Sequence, residues 1–131
     1  MAERSTEQGG ASLRLVALGA DDLEVLSAHL QDAILRVADM AYLPKERRFA
    51  LVCQRFDWVS AEQGRMERCQ TGLHFDAVRA VAVQGIDQTR KEQMLNLLSI
   101  SCEPGEPPAA RVILTFSGGG AIRLEVDYVE A

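Results

Sequence analysis

The stretch Leu30–Trp58, LQDAILRVADMAYLPKERRFALVCQRFDW, decides the fold of this chain. Up to Ala33 its apolar residues keep helical spacing. From Ile34 onward β-branched and aromatic residues gather in ILRVADMAYL and again in RFALVCQRFDW, with the proline-led charged turn PKERR between them. A helix that runs into a β-hairpin is the expectation. Within the second strand Phe49, Leu51 and Cys53 share one face, and the apolar phase then switches to Phe56 and Trp58. Such a switch predicts a bulge, a bend, or burial on both faces.

Upstream, Leu23, Leu26, Leu30 and Ala33 recur at steps of three and four, with Asp22, Glu24, Ser27 and Gln31 on the other sides, so one amphipathic helix is expected to cover a sheet. Asp21, three residues before Glu24, is the expected cap. Leu13–Leu18 reads as a first strand. Downstream, Cys69, Thr71, Leu73 and Phe75 share a face in an extended region that continues through VRAVAVQGI. DQTRKEQ is a loop or the start of a short helix. MLNLLSISCEPG is a strand with Leu98, Ile100 and Cys102 in phase, stopped by Pro104 and Gly105. At the C-terminal end Val112, Leu114 and Phe116 alternate before SGGG, and Ile122, Leu124, Val126 and Tyr128 alternate after it, with Arg123, Glu125 and Asp127 opposite. That is a hairpin with one wet face. Together these elements predict a single α+β domain: a curved antiparallel sheet or partial barrel of six or seven strands, with one long helix packed on it.

At 131 residues the chain suffices for one core that excludes roughly two thirds of its unfolded surface from water. Apolar residues at 47% and charged residues at 25% are the usage of a globular domain, and the longest apolar runs fall far short of the ~20 residues that span a bilayer. MAERSTEQGGAS has no apolar core and carries both signs of charge, so residues 1–12 are expected as a disordered lead ahead of a domain over 13–131, with cytoplasmic residence. Cys53, Cys69 and Cys102 have no C-x-x-C spacing and read as reduced thiols, not as a disulfide framework or zinc ribbon. A net charge of -5 opposes binding to nucleic acid or to an anionic membrane. Twelve of the fourteen basic residues are arginine, a bias spread so evenly that it points to codon composition rather than to a guanidinium site.

The candidate sites divide between chemistry and ordinary structure. Ser117–Gly120 lacks both the Lys-Ser/Thr of a P-loop and a following helix, so it is a hairpin turn. His74 and Asp76, two apart on a strand, share a face, but Cys69 lies at an odd separation and supplies no nucleophile beside them. His29 sits at the edge of the helical stripe, and two histidines with three scattered cysteines specify no metal site. Lys45, Glu46, Arg47 and Arg48, with Arg55 further along the hairpin, form the densest basic cluster and read as its solvated tip. Phe56 and Trp58, the chain's only tryptophan, close one end of a core or anchor an interface. No catalytic residue, cofactor or metal is expected. Trp58, Phe56, Arg47, Arg48, Arg55, His74 and Asp76 are the candidates for an interface or pocket.

Those same stretches carry a family resemblance. HLQDA, YLPKERRF, RFDW, GLHFD and FSGGGAIRLEV, within a match from Leu13 to Glu130, resemble the small bacterial, mainly alphaproteobacterial, proteins grouped as domain of unknown function 2948. The resemblance implies a cytoplasmic single-domain bacterial protein and carries no activity, cofactor or catalytic residue with it. The expected function is therefore a non-enzymatic protein-interaction or ligand-sensing module, open to a protein partner or self-association. The alternative is a small-molecule binder or weak enzyme with a pocket between the helix and the curved sheet, His74 and Asp76 at its mouth.

Overall fold

The computed structural model describes residues 17–56 and 68–131. The expected first strand at Leu13–Leu18 therefore falls mostly outside the described residues, as do the lead at 1–12, Asp57 and Trp58. Helix α1 spans Ala20–Leu30 and buries Leu23, Leu26 and Leu30, as its stripe predicts. Its cap differs from expectation. Asp21 is already inside the helix, the N-cap position falls to Gly19 with no side-chain cap bond, and Asp22 Oδ2 reaches back to accept the N–H of Leu18 at 3.1 Å. The helix also ends earlier than Ala33. Asp32 adopts φ 64° and donates its N–H to the Leu97 carbonyl at 2.8 Å, which turns the chain into the sheet. Ala33 sits three after Leu30 and two before Leu35, so it fits both periods, and the sheet claims it.

The strands are β1 (Ala33–Arg36), β2 (Met40–Leu43), β3 (Arg48–Phe56), β4 (Arg68–Phe75), β5 (Val78–Gln84), β6 (Met94–Pro104), β7 (Ala110–Phe116) and β8 (Ala121–Val126). Every pairing is antiparallel, in the order β2-β3-β1-β6-β7-β8-β5, with β4 also on β3. The curved antiparallel α+β fold is as expected. Among the described residues the strands number eight rather than six or seven, because two predicted extended regions are each divided. A 3-10 turn at Val37–Asp39 separates β1 from β2, and Asp76–Ala77, with Ala77 at φ 58°, separates β4 from β5.

The predicted hairpin between β2 and β3 is present, registered from Leu43↔Arg48 to Met40↔Leu51. Beyond it the strand shifts: Ile34 pairs with Gln54, so six steps from Ile34 to Met40 match three steps on β3. The irregularity thus lies in the partner strand, while β3 pairs with β4 without a break from Phe49↔Phe75 to Phe56↔Arg68. Phe49, Leu51 and Cys53 face the core, and Arg55 continues their phase. At 4% exposure Arg55 is no part of a solvated tip; strand alternation carries it inward at the opposite end of β3.

A bulge also explains β6. Leu97 pairs with Phe116 but Ser99 with Thr115, so Leu98 is the extra residue. Leu97 and Ile100 are buried and Leu98 is 43% exposed, which corrects the expected in-phase set. The Ile100 N–H at this step donates to Ser27 Oγ of α1 at 2.9 Å. The helix packs chiefly on β6 and also on β3, its leucines joining one core with Leu35, Phe75, Leu114, Phe116 and Leu124.

The C-terminal hairpin matches its pattern: Val112, Leu114, Phe116, Ile122, Leu124 and Val126 are buried, and Gly118 and Gly119 adopt φ 79° and 88° at the turn. The alternation stops at Val126; Tyr128 lies past the strand and is exposed. Ala17 and Ala131 exchange backbone hydrogen bonds of 3.0 Å. DQTRKEQ forms turns, the loop of its two expected forms. β2 and β5 share no ladder, and the Val78 N–H donates to the carbonyl of Arg47 in the turn after β2 (2.9 Å), so the sheet is a nearly closed barrel. Among the described residues no helix is long and apolar enough to cross a membrane.

Candidate functional site

Four of the predicted residues come together at the hairpin end of the barrel. The turn after β2 is a 3-10 turn at Pro44–Glu46 followed by Arg47 in the left-handed region at φ 52°, and this geometry aims Arg47 and Arg48 at the β4–β5 link. Arg48 Nε donates to Asp76 Oδ1 at 2.8 Å, and His74 Nδ1 lies 3.4 Å from the same oxygen. Arg47 binds Asp127, whose other oxygen lies 3.6 Å from Arg79. Backbone bonds run between the same segments, from Asp76 N–H to the Glu130 carbonyl at 2.9 Å and from Asp127 N–H to the Ala77 carbonyl at 3.0 Å.

The cluster is thus a tie between three chain segments. His74 and Asp76 share a face as their spacing predicts, but His74 is only 5% exposed and offers little surface to a solute. Burial raises the Asp76 carboxyl, and the Arg48 hydrogen bond with the charges of His74 and Arg48 outweighs it, holding the group below its ordinary value. Lys45 and Glu46 are the solvated tip; Arg47 and Arg48 are matched by aspartates. Arg55 is elsewhere, inside the barrel. The Phe56 side chain and Trp58 lie outside the described residues. Of the thiols, Cys53 is buried and pushed up to about 12 by loss of solvation, an inert form at neutral pH. Among the described residues no group of three His, Cys, Asp or Glu is placed to hold a metal.

A second feature has no counterpart in the sequence reading. Between β2 and β5 the barrel wall is side chain rather than backbone. Tyr42 donates its hydroxyl to the Val78 carbonyl at 3.2 Å. A phenol reaches further than the ~4.8 Å between hydrogen-bonded strands, so this bond marks edges too far apart to form a ladder. A register shift between Val78 and Ala80 bends β5 further from regular pairing. The result is a slot of about 110 Å³. Met40 and Tyr42 form one wall, Val81 and Val83 the other, and Phe49 and Ile122 the floor. Ile86, Gln88 and Lys91 border it from the β5–β6 loop.

That loop is built to hold its place. Asp87 Oδ1 accepts the Thr89 N–H and hydroxyl at 2.9 and 2.6 Å, and the Ala38 and Val37 N–H groups donate to the carbonyls of Lys91 and Gln93 at 2.9 and 3.0 Å. The one sequence signal for the slot is the Val81, Val83 alternation, which reads as an ordinary half-buried strand until β5 is known to be an end of the sheet path.

No curated protein and no solved structure matches the chain. A family model described as "Protein of unknown function (DUF2948)" matches residues 13–131, and the chain belongs to that family.

Proposed function

We propose that the protein is a non-catalytic ligand-sensing module that binds at the β2–β5 seam. The observation that carries this reading is the position of the slot: it lies where the barrel fails to close, so whatever fills it ties the unladdered edges of β2 and β5 together. Its walls hold apolar side chains, one amide, one ammonium and a phenol already bonded to a carbonyl, a set suited to retaining a ligand. The charged cluster at the hairpin end ties the same segments and would feel a tightened seam through Arg47, which bonds both Val78 and Asp127. Occupancy stabilises the closed form by about 2.7 kcal/mol at a hundredfold excess over the dissociation constant.

The test is methyl-resolved NMR of Val81, Val83 and Met40 during titration with short neutral, anionic and cationic aliphatic compounds. Shifts confined to these methyls, and lost when Val83→Trp fills the slot, are the expected outcome. Silence of these methyls toward all three charge classes refutes the reading. A second reading, a protein partner or second copy adding a strand to the outer edge of β5, draws on Val78–Gln84 pairing, among the described residues, only with β8. A dimeric native mass that falls to monomer on Val81→Lys favours it.

A further inference from the structure

We infer that the slot takes a short aliphatic carboxylate, its chain among the valines and its head on Lys91 and Gln88; this rests on the seam being the ligand site. Size argues first. Another protein's apolar cavity of ~150 Å³ accommodates benzene, so about 110 Å³ suits a compact chain of roughly four or five carbons better than an aromatic ring. Sites for larger metabolites occupy ~300 Å³ or more, which excludes a nucleotide or sugar phosphate without rearrangement.

Charge argues second. Lys91 borders the slot, and among the described residues no carboxylate neutralises it. Its acidic neighbours are engaged elsewhere: Asp87 holds Thr89, and Glu92 accepts Arg36 at 3.0 Å. In a protein of net charge -5, an unmatched ammonium beside an apolar slot is a local exception. A single ammonium beside one amide suits a monoanion, whereas a phosphate calls for a guanidinium fork or several backbone donors.

Positioning argues third. The Lys91 carbonyl is held by the Ala38 N–H, so the base of the side chain is fixed at the rim, next to the 3-10 turn that supplies Val37 to the lining. Tyr42 spends its proton on Val78, which leaves Lys91 and Gln88 as the side-chain donors of the lining that face a ligand head group.

The experiment compares isovalerate with isovaleramide, isoamylamine and benzoate by NMR titration on the intact chain. Isovalerate is expected to shift the Val81 and Val83 methyls, to bind at least about tenfold tighter than the amide, and to weaken as ionic strength rises. Lys91→Met is expected to remove that advantage, Lys91→Arg to keep most of it, and Val83→Trp to abolish binding of every compound. Lys91 is exposed, and its structural bond is made by the backbone, so these variants keep the fold. Equal affinity for isovalerate and its amide, or an unchanged isovalerate affinity in Lys91→Met, overturns the carboxylate inference while the seam reading stands. Tighter binding of benzoate than of isovalerate overturns the size argument, and with it the inference. Silence toward all four compounds overturns both.

Discussion

Tyr42→Phe is the cleanest perturbation of the seam, because it removes one hydroxyl and leaves the ring that forms the wall. The bond lost is a neutral one of 3.2 Å to the carbonyl of Val78, a residue with no exposed surface. A neutral hydrogen bond contributes about 1 kcal/mol, and a carbonyl left without a partner away from water adds a desolvation cost of similar size, so a loss of about 1.5 kcal/mol is expected. That corresponds to roughly a tenfold rise in the open population and a fall of about 5 °C in Tm for a chain of this length. Urea unfolding measures the global change, and amide hydrogen exchange locates it. The Val78 amide, bonded across the same seam to Arg47, is expected to exchange about tenfold faster, while the Leu114 and Leu124 amides inside the β7–β8 pairing slow or quicken only with global stability. Tyr128→Phe, at an exposed ring beyond the last strand, is the control and should change stability by less than about 0.3 kcal/mol. A Tyr42→Phe protein as stable as wild type, with Val78 exchange unchanged, would show that this bond does not hold the barrel ends together.

Three further outcomes follow from the same geometry. Asp76 has a folded pKa below its unfolded value, so its contribution is present above about pH 4 and is lost as pH falls through the folded pKa; Asp76→Asn should destabilise at neutral pH and converge with wild type in acid, as read by urea midpoints across pH. Leu97→Ala in the core is expected to cost about 2–5 kcal/mol and Leu98→Ala less than about 0.5, and a reversed order would refute the bulge. With a thiol reagent at pH 8, Cys102, partly exposed, should react before Cys53, whose labelling should wait for unfolding; mass mapping of early adducts decides it.

The parts of the fold legible in the sequence are those where a single local rule operates without competition. The β7–β8 hairpin is one, since strict alternation flanks glycines that can take positive φ. The PKERR turn is another. Ambiguity arises where two periods coincide, as at Ala33, and where the register shifts by an inserted residue, as at Leu98 and at Val37–Asp39. These insertions satisfy partners far along the chain, such as Ser27 for the Ile100 N–H, and local spacing contains no trace of them. The candidate site was legible in part. His74 and Asp76 share a face because strand geometry demands it. Arg55 falls with the turn by proximity in sequence, which ignores that nine residues of β3 separate one end of a barrel from the other.

The sequence by itself determined the class, the antiparallel layout, the helix that covers the core and the two clean hairpins, because each follows from the φ/ψ preferences and polarity of adjacent residues. Only the tertiary structure decided that the unladdered edges of β2 and β5 lie side by side, and hence that Met40, Tyr42, Val81 and Val83 face each other across a slot with Lys91 at its rim. The separation between those residues along the chain is about forty positions, and what joins them is the curvature summed over all the intervening strand pairs, a quantity no local pattern encodes.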